Sequence, residues 1–165
     1  MELWDAYTEN ELKLDINLIR GEKIPEGLFH AVAQIIVLHE DGTYLLMQRN
    51  WNKDKFPGLW EAGASGCVKK SETFEEGAKR ELFEETGIVA HSLKLIESVT
   101  NNDDQAIYKI YLCTCKVDKE AIILQEDETI NFKWISRQEL INVIDSDCFV
   151  APSRRRLAEY IKSTK

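Results

Sequence analysis

The stretch from Gly66 to Ile88 holds six glutamates within 23 residues. Like charges one helical turn apart repel each other, by a few tenths of a kcal/mol per pair on an exposed helix. On a helix that turns about 100° per residue, Glu81, Glu84 and Glu85 fall within an arc of about 100°. Clustered carboxylate oxygens suit Mg²⁺, Mn²⁺ or Ca²⁺, so one interpretation is a site for a hard cation, which would relieve the repulsion.

Two other interpretations of this acidic stretch stay open on charge alone. The glutamates could form a solvated helix face that pairs with Lys79 and Arg80, or a surface that binds another protein. The spacing of nine residues in this stretch is more specific than its charge. These residues are Gly66, Glu72, Arg80, Glu81, Leu82, Glu84, Glu85, Gly87 and Ile88. At every defined position this pattern resembles the signature of the Nudix hydrolase family, which favours the cation site.

The resemblance to Nudix hydrolases implies an activity and a role for each matched side chain. These enzymes cut a diphosphate linkage in a nucleoside diphosphate that is joined to another group, so the implied substrate is a small nucleotide or diphosphate. Arg80 and Glu72 would form a salt bridge that holds the loop of Gly66 to the helix. The implied ligands of Mg²⁺ or Mn²⁺, beside a backbone carbonyl of that loop, are Glu81, Glu84 and Glu85.

Two glutamates are candidates for the base that takes a proton from the attacking water, because members of the family place this base at different positions. One is Glu84, and the other is Glu128, in an acidic loop ahead of the strand that contains Trp134. Arg49 and Lys55 are candidate contacts for the diphosphate, although each could equally be a solvent-exposed cation. Four aromatic residues could stack on a base or belong to the core: Trp4, Trp51, Phe56 and Trp60.

A second resemblance is to isopentenyl-diphosphate isomerases, which share the Nudix fold but move a double bond. It rests on LMQR at 46–49, KFPGLWE at 55–61 and FH at 29–30. The cysteine of those enzymes would fall at Ser65 and a metal-binding histidine at Cys67, so their acid and their metal site are missing. We therefore expect an isomerase-like architecture that carries hydrolase chemistry. An isomerase-like enzyme and a non-catalytic nucleotide-binding module stay open as alternatives.

Local signals place the acidic stretch on a helix. Thr73 and Glu76 form a capping box and Gly87 supplies a stop, which together predict a helix over 74–86. A second capping box, Ser136 with Glu139, predicts a helix over about 137–145, and Pro152 suits the start of a last helix that ends near 162.

Strand-like runs precede and follow the first helix. Residues 1–28 are expected to form a hairpin or an extended lead-in. The other predicted strands are 29–38 and 43–49, joined as a hairpin, and 92–100, 105–117 and 132–135. This order of elements predicts an α/β fold in which helical layers enclose a mixed central sheet. The resemblance implies that residues 1–165 form one domain of the Nudix type.

The composition of the whole chain limits its partners. The 165 residues carry a formal net charge of −8, so the acidic surface would repel nucleic-acid backbones. No apolar run approaches the roughly 18 residues of a membrane span, and the N-terminus lacks the pattern of a signal peptide. The four cysteines form no C-x-x-C pair and suit reduced thiols, so we expect a cytoplasmic protein. Because many members of the family dimerise, a homodimer is among the expected states.

Overall fold

The computed structural model describes residues 1–163, which form a mixed β-sheet between helices and a separate two-stranded hairpin. The strands are β1 (Leu3–Tyr7), β2 (Lys13–Ile19), β3 (His30–His39), β4 (Tyr44–Arg49), β5 (Trp60–Ala62), β6 (Ala64–Cys67), β7 (Lys94–Asn101), β8 (Ala106–Cys115) and β9 (Thr129–Ile135). The helices are α1 (Phe74–Thr86), α2 (Arg137–Ile144) and α3 (Ala151–Ser163). Within 1–163, no helix combines the length and the apolar character that crossing a membrane requires.

The central sheet has the order β5-β4-β3-β8-β7, with β6 added to β3 and β9 added to β4. β3 runs parallel to β8, whereas its other neighbours and the outer pairs are antiparallel. Successive side chains of β3 point to opposite faces. Ile35 lies in one core cluster with Leu82 of α1, and Ile36 lies in another with Leu140 of α2 and Leu157 of α3. The predicted α/β/α sandwich with a mixed sheet is confirmed.

Helix α1 begins and ends where its capping residues predict. The hydroxyl of Thr73 accepts a hydrogen bond from the N–H of Glu76, and the Glu76 carboxylate accepts one from the N–H of Thr73. Gly87 takes the left-handed conformation, with φ 75°, and its N–H donates to the carbonyl of Phe83. Ala78 and Leu82 are fully buried against the sheet. The caps and the apolar stripe together fix the rotation of α1, and so they fix the direction of its glutamates.

Strands β3 and β4 form a hairpin only beside their turn, because two short strands separate them further on. The sequence predicted a hairpin over 29–38 and 43–49, but the pairing is limited to Leu38 opposite Tyr44. Beyond this pair, β5 binds β4 and β6 binds β3. Gly63 joins β5 to β6 and donates its N–H to the carbonyl of Leu45 at 3.0 Å. The prediction missed β5 and β6, since runs of three and four residues carry little periodicity.

The other predicted elements differ from the structure only in their bounds. β9 begins at Thr129 and so extends three residues before the predicted start, and α3 begins one residue before Pro152. The capping box of Ser136 and Glu139 opens α2 as expected. Shifts of one to three residues are ordinary for boundaries placed from sequence.

The N-terminal residues form the antiparallel hairpin β1–β2, which packs beside the start of β3. The ring of Trp4 stacks on the ring of His30, with centroids 4.5 Å apart. Burial lowers the pKa of His30 to about 4, so the imidazole is neutral near pH 7. His30 therefore occupies a packed position between the hairpin and the sheet.

Gly63→Ala tests how tightly β5 and β6 are inserted between β3 and β4. A Cβ at this position would lie 2.0 Å from the carbonyl oxygen of Ile35, and Gly63 has φ +63°. We expect the free energy of unfolding to fall by about 2–4 kcal/mol, because the clash is with backbone that is paired in the sheet. Gly42→Ala is the control, since Gly42 has φ +87° with open space around it, and it should cost about 1 kcal/mol. Equal losses in urea unfolding would contradict this account.

Candidate functional site

Arg80 and Glu72 join the loop before α1 to the helix. Arg80 Nε and Nη2 donate to the two carboxylate oxygens of Glu72 at 2.6 and 2.9 Å, and Nη2 also donates to the carbonyl of Cys67 at 3.0 Å. The N–H of Lys69 donates to Glu72 as well. The Arg80 hydrogen bond is the main cause that lowers the pKa of Glu72, and it raises the pKa of Arg80 in return. A bidentate pair of this kind fixes the orientation of both side chains.

Glu81 lies against the backbone of Gly66, which has no side chain to keep it away. A Cβ on Gly66 would lie 2.1 Å from the carboxylate carbon of Glu81. Burial raises the pKa of Glu81, although Arg80 Nη1 donates to it at 2.6 Å. The same nitrogen donates to Glu84 at 3.1 Å, and Lys69 Nζ lies 3.8 Å from Glu84. Two of the three predicted metal ligands therefore share one guanidinium group.

Glu85 is the most deeply buried glutamate of the stretch, with 5% of its surface exposed. Burial raises the pKa of Glu85 well above its ordinary value, and the charges of Glu61, Glu81 and Glu128 raise it further. The backbone N–H of Ser65 donates to its carboxylate. Glu61, Glu81, Glu85 and Glu128 form what is called here the carboxylate cluster. Charges of one sign repel strongly where water is scarce, so the carboxylate cluster favours a bound cation.

Glu61 on β5 is a residue of this site that the sequence prediction missed. Its carboxylate is buried and accepts hydrogen bonds from Arg49 Nη1 at 2.8 Å and from Ser65 Oγ at 3.0 Å. β5 pairs with β4, where Glu61 lies opposite Met47. The signal in the sequence was a single glutamate between Trp60 and Ala62, and only the pairing of the short strand β5 brings it to the site.

The two predicted diphosphate contacts differ in exposure. Arg49 is partly buried at the end of β4, where Nη1 binds Glu61 while Nε and Nη2 donate to the carbonyl of Lys55 at 3.2 and 3.1 Å. The side chain of Lys55 is exposed, and its charge contributes to lowering the pKa of His30. Arg49 therefore lies against the carboxylate cluster, and the backbone of Lys55 lies against Arg49.

Glu128 reaches the carboxylate cluster from the turn before β9. Its carboxylate binds Lys53 Nζ at 2.5 Å, and its carbonyl accepts the N–H of Asn50 at 2.8 Å. These two bonds tie the turn to the loop that follows β4. The side chain of Glu128 is 37% exposed to solvent, whereas Glu85 is buried.

The four aromatic candidates have different surroundings. The ring of Trp4 is covered by His30, and Lys133 Nζ lies 4.3 Å from the centroid of Trp60. Phe56 is partly buried and has a positive φ of 54°. Trp51 is 67% exposed in the loop after β4, which makes its ring the most accessible of the four.

The structure brings the predicted acidic side chains together, but it does not align them as ligands. Among residues 1–163, no three His, Cys, Asp or Glu side chains are placed together as metal ligands. Arg80 binds both Glu81 and Glu84. The donor set nevertheless consists of carboxylate oxygens, which suit a hard divalent cation better than zinc. Gly66 leaves room for the carboxylate of Glu81, and Glu85 is buried and repelled by neighbouring carboxylates. Both features are consistent with a bound divalent cation.

Comparisons with known proteins agree with the fold and with the family resemblance. The sequence model of the NUDIX domain matches residues 28–158. An uncharacterised Nudix hydrolase of Listeria monocytogenes is 28% identical over 150 residues, covering 91% of this chain and 89% of its own. Another, from Clostridium acetobutylicum, is 30% identical over 156 residues, covering 88% and 75%. The crystal structure of DR0079 from Deinococcus radiodurans superposes with a TM-score of 0.76 at 18% identity, covering 94% of this chain and 98% of its own.

Glu72→Gln tests whether the bond to Arg80 holds the loop to the helix. We expect the free energy of unfolding to fall by about 1–3 kcal/mol, because Arg80 and the N–H of Lys69 lose a charged acceptor. Glu75→Gln is the matched control, since Glu75 pairs with Lys79 at 2.7 Å on the exposed side of the same helix, and it should cost no more than about 0.5 kcal/mol. Losses of equal size in urea unfolding would show that the Glu72 bond does not have this role.

Proposed function

The chain belongs to the Nudix family, and on this premise we propose that it hydrolyses a diphosphate linkage in a nucleoside diphosphate derivative. Water would attack at phosphorus, with Mg²⁺ or Mn²⁺ as the cofactor. The observation that carries the proposal is the carboxylate cluster. Glu85, which is buried, is repelled by the three other glutamates of the cluster, and this is costly for a side chain with only a structural role.

Glu81, Glu84 and Glu85 would hold the cation, together with a backbone carbonyl of the glycine-containing loop before α1. When bound, a divalent cation neutralises phosphate oxygens and lowers the pKa of a water molecule that it binds. The bonds from Arg80 to Glu81 and Glu84 would yield to that stronger interaction, while the bidentate bond between Arg80 and Glu72 stays in place. Arg80 then positions the loop and does not contact substrate.

Two cationic side chains would contact the diphosphate. Arg49 lies at the edge of the carboxylate cluster through its bond to Glu61, so its guanidinium can attract a phosphate oxygen while it stays oriented. Lys55 carries an exposed ammonium group on the loop after β4. Attraction between these cations and the phosphates would position the linkage for attack, and positioning supplies much of the acceleration in phosphoryl transfer.

Glu128 and Glu84 remain the candidates for the general base. Glu128 is partly exposed, close enough to Glu85 for their charges to interact, and held by Lys53. Glu84 is also partly exposed and is bound by Arg80 and Lys69. An ionised carboxylate in either place can accept a proton from water. Glu128 is favoured for this role because it is not one of the proposed cation ligands and is held separately, by Lys53.

Ser65 and Cys67 stand at the positions where isopentenyl-diphosphate isomerases have a cysteine and a metal-binding histidine. Both residues favour hydrolysis over isomerisation. Ser65 has a hydroxyl in place of the thiol, and that hydroxyl donates to Glu61. Burial raises the pKa of the Cys67 thiol to about 11. A thiol that stays protonated at neutral pH is a poor metal ligand, because the thiolate is the form that binds metals.

Glu85→Gln tests the proposed chemistry. With Mg²⁺ or Mn²⁺, we expect the variant to hydrolyse nucleoside triphosphates, nucleotide sugars and dinucleoside polyphosphates roughly 100-fold or more slowly than the wild type. Its stability without divalent cations should not fall, because a repelled buried charge is removed. Glu75→Gln, on the exposed face, should keep the wild-type rate.

The outcomes of this experiment are distinct. Hydrolysis at the wild-type rate by a folded Glu85→Gln variant would contradict the proposed cation site. Isomerisation of isopentenyl diphosphate by the wild type, without hydrolysis of any diphosphate compound, would replace the proposal by the isomerase alternative. Identified products would show which phosphorus is attacked.

A further inference from the structure

Gln34 lies in the middle of β3 and is a polar side chain enclosed by the core, with 1% of its surface exposed. Within residues 1–163, neither the Nε2 nor the Oε1 atom of its amide has a hydrogen-bond partner. Leaving a buried amide unpaired is costly, and buried polar groups in folded proteins are almost always paired. The fold alone gives no reason for this residue, because an apolar side chain of the same size would occupy the position without that cost.

The sheet places one polar side chain beside Gln34. Its partner on β8 is Ile110, and its neighbours on the same face of β3 are Val32 and Ile36. Its partner on β6 is Ser65. Residues directly opposite each other in an antiparallel pair point to the same face, with Cβ atoms about 4.5–5.5 Å apart. Of these four neighbours, Ser65 is therefore the one whose side chain can bind the amide.

Ser65 also contacts the carboxylate cluster in two ways. Its hydroxyl donates to the carboxylate of Glu61 at 3.0 Å, and its backbone N–H donates to the carboxylate of Glu85. The hydroxyl proton is used in the bond to Glu61, whereas the hydroxyl oxygen can still accept. An N–H of the Gln34 amide is the complementary donor.

The amide of Gln34 can turn toward Ser65 without a change of backbone. The last side-chain torsion of glutamine is soft, because it joins a tetrahedral carbon to a planar one. A hydrogen bond that the hydroxyl accepts also polarises it and strengthens the bond that it donates. Gln34, Ser65 and Glu61 would then form one chain of hydrogen bonds that ends at the carboxylate cluster.

We propose that Gln34 is a positioning residue of the cation site: its amide N–H donates to Ser65 Oγ and so fixes the orientation of the Glu61 carboxylate beside Glu85. This inference rests on the proposed function. Gln34 is too deeply buried to contact substrate, so its effect passes through Ser65. Loss of a group that orients the surroundings of a metal typically lowers metal affinity or activity by roughly 10–100-fold.

Gln34→Met tests the inference, because methionine is of similar size and shape and has no N–H donor. With Mg²⁺ and a diphosphate compound that the wild type hydrolyses, kcat should fall about tenfold while KM changes less than about twofold. The unfolding midpoint without divalent cations should stay at or above that of the wild type, since an unpaired buried amide is removed. Ile36→Met is the matched control. Ile36 is buried on the same face of β3, and the kcat of its variant should stay within about twofold of the wild-type value.

A double-mutant cycle tests the route through Ser65. Ser65→Ala removes the hydroxyl but keeps the backbone N–H that donates to Glu85. In the Ser65→Ala background, Gln34→Met should change kcat less than about twofold, because the connection to Glu61 is already lost. An effect of Gln34→Met that is as large in this background as in the wild type would overturn the inference. A wild-type kcat in folded Gln34→Met would overturn it too, and so would failure of this variant to fold, which would give Gln34 a purely structural role.

Calorimetric titration with Mn²⁺ separates this inference from the proposed function. If the wild type hydrolyses no diphosphate compound, the proposed function fails, and the affinity for Mn²⁺ decides the role of Gln34. A Kd that rises about tenfold in Gln34→Met, but is the same in Ser65→Ala with and without Gln34→Met, would support the role. An unchanged Kd in Gln34→Met, or a wild type that binds no Mn²⁺, would overturn it.

Discussion

A buried carboxylate loses its hydration, and it destabilises the fold unless a donor or a cation replaces the water. Glu85 is in this position, with Glu61, Glu81 and Glu128 close enough to repel it. Much of the surrounding structure holds these carboxylates close together although they repel each other. Arg49, Lys53 and Arg80 bind the other members of the carboxylate cluster, while the backbone N–H of Ser65 stabilises the charge of Glu85.

The elements that carry the carboxylate cluster are fixed by interactions outside it. α1 is set by its capping box, by Gly87 and by the burial of Leu82. β5 and β6 bring Glu61 and Ser65 to the helix, and they can do so because Gly63 passes close to the backbone of β3. The side chains that would meet a cation are thus positioned by elements fixed elsewhere, and their own repulsion is a local conflict within that frame.

The structural features that could be predicted from the sequence depend on interactions between residues that are close together in the chain. The bounds of α1 follow from Thr73, Glu76 and Gly87, which interact with residues three or four positions away. The bond between Glu72 and Arg80 was expected from the family resemblance, and it spans only eight residues. Glu61 could not be predicted, since it depends on strand pairing between β4 and β5. The placement of Gln34 opposite Ser65 likewise needs β3 to pair with β6, and no local pattern encodes that pairing.

If a divalent cation completes the carboxylate cluster, it should stabilise the folded protein, and thermal unfolding at increasing Mn²⁺ or Mg²⁺ concentration measures this. A cation that binds only the folded state stabilises it in proportion to the logarithm of its concentration above the Kd. We expect the unfolding midpoint of the wild type to rise steadily with either cation and to return when a chelator is added. A midpoint that rises no more than it does in sodium chloride of matched ionic strength would contradict the claim.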